Sequence, residues 1–137
     1  KYHAQCLQFL HRVLHKRHKY AAVQDVGKAI HQTSKPFDSC DIRAQLINAM
    51  SLMGNLNFED ALIELQSWMK ATTALRGSEA DVYTMGEGWR SMGICQMQLG
   101  LREEGAASFK RAEAYFRKLP DPGPRQRELC ILKTKVA

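Results

Sequence analysis

Apolar residues recur every three or four positions along almost the whole chain, the spacing that puts them on one face of an α-helix. In 4–19 the stripe is Cys6, Leu7, Leu10, Val13 and Leu14, and in 20–34 it is Val23, Val26 and Ile30. The run "SKPFDS" breaks the pattern at Pro36, because proline cannot donate to a helical hydrogen bond. Asp38 or Ser39 is positioned to cap a third helix, which carries Leu46, Ile47, Met50 and Met53 as far as Gly54. Phe58, Ala61, Leu62, Leu65 and Met69 mark a fourth, ending near Gly77. Ser78 with Asp81 reads as a capping box opening a fifth, which Gly100 closes. A sixth spans 102–119 and stops at "PDPGP", and a short seventh from about 125 would bury Leu129, Leu132 and Val136. No sustained two-residue alternation and no Asn-Gly or Asp-Gly hairpin occurs, so the expected fold class is all-α.

Composition narrows the class. With 45% hydrophobic and 25% charged residues, the 137-residue chain has the means for one packed domain, expected to span 1–137. No apolar run reaches the ~18–20 residues of a membrane span, so a soluble intracellular protein of cytoplasm or nucleus is expected, with no membrane partner. A start at Lys1 and an abrupt stop at "KTKVA" read as a fragment of something larger. Cys6, Cys40, Cys95 and Cys130 stand 34, 55 and 35 residues apart, without the close pairs of a zinc site, and are expected as free, mostly buried thiols.

The net charge of +6 is unevenly spread. Residues 1–35 hold seven Lys/Arg against one acid, 36–105 hold five against ten, and 106–137 hold eight against three. Two basic ends therefore flank an acidic middle. Arg12, Lys16 and Lys19 step along one helix face in a manner suited to phosphates, and a second cluster runs from Lys110 to Lys135. A helical nucleic-acid-associated domain using these basic surfaces is thus an alternative function. Few aromatics interleave with the charges (Tyr20, Tyr115, Phe116), which supports single-strand stacking poorly.

Chemistry of other kinds has little to stand on. No nucleophile–base motif and no phosphate-binding glycine loop is present, so no enzyme and no cofactor is expected. Glu59-Asp60 and Glu103-Glu104 sit in first helical turns, where carboxylates favour the positive end of the helix dipole. All five histidines lie in the first 31 residues, and His11 and His15 share a face with His18 nearby. A metal is not expected there, since His18 falls at the turn, no carboxylate joins the pair, and Arg12, Lys16 and Arg17 repel cations. A histidine patch that gains charge below pH ~6.5 remains available.

The hairpins repeat. The window from Gly88 to Pro120 carries Trp89, Met92-Gly93, Gly100, Gly105, Phe109, Ala112 and Pro120, and it resembles a tetratricopeptide repeat. It departs from that pattern at Gln96, where a tyrosine is expected, and at Met92, where a leucine is. Gly93 and Gly105 would let two antiparallel helices approach, with Trp89 and Phe109 beside them. A second copy at about 42–75 keeps Phe58, Ala61 and Leu65 but has Gln45 and Ala49 for the tryptophan and glycine, and a third lies at about 4–37. With the best copy at 86–119, the starts are separated by 38 and 44 residues.

The resemblance implies a right-handed superhelix of about three hairpins with a C-terminal capping helix at about 125–136. It also implies a protein–protein interaction module, a scaffold or adaptor whose concave groove holds a partner peptide or helix; the basic residues at one end of that groove would favour acidic neighbours. Groove-facing positions would be Gln8, Arg12, His15 and Lys16, then Arg43, Leu46, Met50 and Met53, then Glu87, Arg90, Ile94 and Met97. The lysine/asparagine set with which some family members clamp the C-terminal carboxylate of heat-shock chaperones is not at these positions.

Overall fold

The computed structural model describes residues 2–33, 39–74 and 82–136. Those residues form helices α1 (Tyr2–Lys16), α2 (Tyr20–Thr33), α3 (Ser39–Gly54), α4 (Phe58–Ala74), α5 (Val82–Gln98), α6 (Arg102–Arg117) and α7 (Pro122–Val136). The all-α expectation is met. Pro36, Asp38, Gly77, Ser78 and Asp81 lie outside the described residues, as do the side chains of Gln8, Ser39, Cys40 and Val136. The chain divides into two compact units, 1–80 and 81–137.

In the first unit α1 packs on α2 and α3, α2 on α3, and α3 on α4. The apolar stripes meet in a core that includes Val23, Ile30, Leu46, Leu65 and Trp68, all nearly or wholly buried. Gly27 sits where a Cβ would strike the Asn48 side chain, so the missing side chain is what lets α2 lie against α3.

In the second unit α6 packs on both α5 and α7. Phe109, Ala112, Phe116, Leu119 and Leu132 form its core, with Trp89, Ile94, Met97 and Leu129 packed around them. A Cβ on Gly93 would lie 2.9 Å from the Phe109 ring, and one on Gly105 would lie 3.3 Å from the Gly93 carbonyl oxygen. The two glycines thus set a close α5–α6 approach. α7 begins at Pro122, three residues before the expected start. The Asp121 carbonyl accepts from the Arg125 N–H at 3.1 Å, and Pro122 and Pro124 occupy first-turn positions whose N–H groups have no helical partner anyway.

The turns α1–α2, α3–α4 and α5–α6 share one geometry. Each has a left-handed residue: His18 (φ 59°), Leu56 (φ 62°) and Gly100 (φ 82°), again 38 and 44 residues apart. The N–H of that residue returns three positions (to His15, Met53 and Met97), and the next N–H returns five (to Leu14, Leu52 and Gln96). This is the Schellman closure. The carbonyl of that next residue, Lys19, Asn57 or Leu101, then opens the following helix by accepting from Val23, Ala61 or Gly105.

Counting from the left-handed residue also aligns the cores. Seven positions before it stand His11, Ala49 and Gly93, and nine positions after it stand Gly27, Leu65 and Phe109, all six buried. Where the first helix of a hairpin carries the large side chain, the second carries glycine, and the reverse holds in α5–α6. Volume is exchanged across the hairpin while the packed total is kept.

Candidate functional site: the α1–α3 face

His11 and His15, one turn apart on α1, both reach α3. His11 is 1% exposed, and its Nε2–H donates to Asn48 Oδ1 at 2.9 Å. His15 Nδ1 lies 2.8 Å from Ser51 Oγ, whose only proton is donated to the Ile47 carbonyl at 3.0 Å. Ser51 must therefore accept, and His15 carries its proton on Nδ1. The bonds pair residue 11 with 48 and 15 with 51, so α1 and α3 run parallel. Gln24 Nε2 donates to the Asn48 carbonyl at 3.0 Å, adding α2 to the same junction.

Burial pushes the His11 imidazole below its ordinary value of 6.5, against the raising effects of its bonds to Asn48 and Val23. His15 is lowered in the same direction by burial, then by the charges of His11 and His18. His18 lies in the turn, hydrogen-bonded to the Tyr20 hydroxyl with the rings edge to face. The three histidines thus take different hydrogen-bond partners, while the Tyr20 ring lies against both His15 and His18. Among the described residues no three His, Cys, Asp or Glu side chains gather where they could hold an ion.

Beside this junction Arg12 and Arg43, from α1 and α3, line a pocket of about 100 Å³ with His11, Ala44 and Ile47. Arg12 and Lys16 are exposed, and Arg43, Met50 and Met53 are half-buried further along the same two helices. Leu46 is different: at 2% exposure it belongs to the core and offers no surface to a partner.

The α5 positions face their own unit. Arg90 Nη1 donates to Glu128 Oε2 at 2.5 Å, with its guanidinium 5.3 Å from the Phe116 ring centroid, and Tyr83 donates to Glu128 Oε1 at 3.3 Å. Burial, followed by the negative charges of Glu87 and Glu128, raises the Tyr83 hydroxyl above its usual range. Ile94 and Met97 pack against the α6–α7 core. Of the predicted groove residues, the fold thus gathers Arg12 and Arg43 at one pocket and ties Arg90 to α7. Glu128 was not among the sequence candidates. Its signal was its place one turn before Leu132, which puts the only carboxylate of "RQRELCILK" on the buried face.

The thiols correct an expectation: Cys95 is buried, but Cys6 and Cys130 are exposed. Burial pushes the Cys95 thiol up to about 11, so it stays protonated and unreactive. Gln96, in the tyrosine position of the repeat pattern, is buried and accepts from Ser108 Oγ at 2.5 Å across α5–α6. No helix among the described residues is long and apolar enough to cross a membrane. No protein-family model matches the chain, and no curated protein or solved structure matches it either.

Proposed function

We propose that the chain is a tetratricopeptide-like array of helical hairpins that binds an acidic peptide segment of a partner protein on the α1–α3 face. The observation that carries the reading is the convergence of Arg12 and Arg43 on one pocket, with half-buried Met50 and Met53 on the same helix as Arg43. A partner carboxylate would take the exposed Arg12 guanidinium fork at the pocket mouth, and flexible thioethers accommodate varied apolar side chains beside it. The recurrence of one turn geometry at 38 and 44 residues, and the parallel run of α1 and α3, support the repeat.

The nucleic-acid alternative weakens where the C-terminal cations are already engaged. Arg111 lies 4.7 Å from the Trp89 ring centroid, Arg117 pairs with Glu113, and Arg125 donates to the Leu119 carbonyl. Fluorescence anisotropy separates the two readings, with a labelled Glu-rich peptide carrying aliphatic residues and a generic DNA duplex as probes. The peptide is expected to bind, and Arg12→Ala with Arg43→Ala to weaken it about tenfold or more with helicity unchanged. Duplex binding with a steep salt slope, and no peptide binding, would replace this reading with the alternative.

A further inference from the structure

The second unit contains a groove of about 590 Å³ between α6 and α7 that the α1–α3 reading does not use. Ala106 on α6 and half-buried Leu129 on α7 give its accessible apolar surface over the buried Phe109 and Leu132, and Lys110 on α6 and Lys133 on α7 line it from the two helices. Glu113 and Arg117 also line it, but they neutralise each other: Arg117 Nε and Nη2 both donate to Glu113 Oε1, at 3.0 and 2.5 Å. Among the described residues neither Lys110 nor Lys133 has an ion pair. Among the described residues the electrostatic pattern is thus a trough with one unpaired lysine from each of its two helices.

We infer that this groove docks an amphipathic helix of a partner protein whose apolar stripe is flanked on both sides by carboxylates. An apolar cavity of ~150 Å³ already accommodates a benzene ring, so the groove has room for several aliphatic side chains of a helix presented at i, i+4 and i+7. The two lysines discriminate among occupants. A single-chain carboxylate amphiphile brings one negative end and can satisfy only one wall, whereas a helix with acidic residues on either side of its apolar stripe satisfies both. A helix edged by lysine would meet like charge at both walls. The inference rests on α6 and α7 alone and is independent of Arg12 and Arg43.

The test uses the full chain and three fluorescein-labelled probes: a Leu-striped helical peptide flanked by glutamates, its twin flanked by lysines, and a saturated fatty acid. The glutamate peptide is expected to bind, and to bind about tenfold or more weakly to the Lys110→Glu/Lys133→Glu variant, which should bind the lysine twin instead. Ala106→Trp, at an exposed α6 position lining the groove, is expected to abolish binding with unchanged helicity. Equal affinity for the two peptides, an unchanged affinity in Lys110→Glu/Lys133→Glu, or no peptide binding at all would overturn the inference. So would displacement of the peptide by the fatty acid at Ala106, since the site would then belong to a small amphiphile. Every titration is made in the Arg12→Ala/Arg43→Ala background, which removes the α1–α3 face as a second site for an acidic peptide and separates the failure of this inference from the failure of that reading.

Discussion

Glu128 lies one helical turn before Leu132, and its buried carboxylate receives Arg90 and the Tyr83 hydroxyl while Arg127 Nε stands 3.7 Å away. Removing the acid leaves Arg90, itself only 14% exposed, without its counter-charge. Breaking such a pair from one side costs about 3 kcal/mol, mostly the desolvation of the orphaned ion. Glu128→Ala should therefore lower the urea midpoint substantially, while Arg90→Met/Glu128→Leu should recover most of the loss. His11 and His15 predict a pH dependence of definite sign. Both are lowered from 6.5 in the folded chain, so on acidification the unfolded chain takes up protons first. Stability is then fully present above about pH 6.5 and falls as the pH drops through 6.5 toward the folded values. Urea unfolding at about pH 7.5 and about pH 5 should show this decline, and His11→Gln/His15→Gln should flatten it. The opposite slope would mean that the imidazoles are stabilised in their charged form. The histidine spacing made the pair visible in the sequence. Their partners Asn48 and Ser51 were not, because a contact 36 or 37 residues away leaves no local signal.

At the scale of elements, the three matching turns place left-handed backbone at two residues for which it is unfavourable. Leu56 has φ 62° and is 76% exposed, so its side chain contributes little packing to offset the strain. Leu56→Gly should stabilise the chain by about 1 kcal/mol, read from the thermal midpoint. Gly100→Ala should cost about as much, although a Cβ there would meet nothing. Gly93→Val should cost more, roughly 1–3 kcal/mol, because its side chain would press on the Phe109 ring and drive α5 from α6. Helix ends marked by Gly54, Gly100 and the proline run were legible for this reason: each residue type has a backbone consequence of its own. Leu56 and His18 carry no such mark, and their conformation is imposed by the closure of the turn. The poor match of the first hairpin to the tetratricopeptide pattern also has a physical side. With His11 and Gly27 in place of a small residue and a large one, the hairpin keeps its packed volume while losing the sequence pattern.

For the molecule as a whole, the basic–acidic–basic sequence resolves into local uses of charge. Arg111 and Lys118 stack on Trp89 and Tyr115, and Arg90, Arg117 and Arg125 find acceptors within their own unit. These contacts fix the side chains and occupy N–H donors without altering the net charge. Periodicity was sufficient to assign each helix, but not the inward face of α1, where the predicted stripe residues Cys6 and Leu10 are exposed and His11 is the buried side chain. It could not divide Leu46 from Met50, since both lie on the inner half of α3 and only the packed fold decides which is covered. Nor could it find the trough between α6 and α7, which exists only once Leu129 and Leu132 meet Phe109.

The central claim, that a protein segment is held at Arg12 and Arg43, is tested most directly by capture from lysate on the immobilised full chain, before and after nuclease. The wild-type and Arg12→Ala/Arg43→Ala chains are compared side by side. The account predicts a captured protein that survives nuclease, is competed off by the Glu-rich peptide, and is lost from the variant while its circular dichroism is unchanged. Capture that disappears with nuclease, or that persists undiminished in the variant, would contradict it.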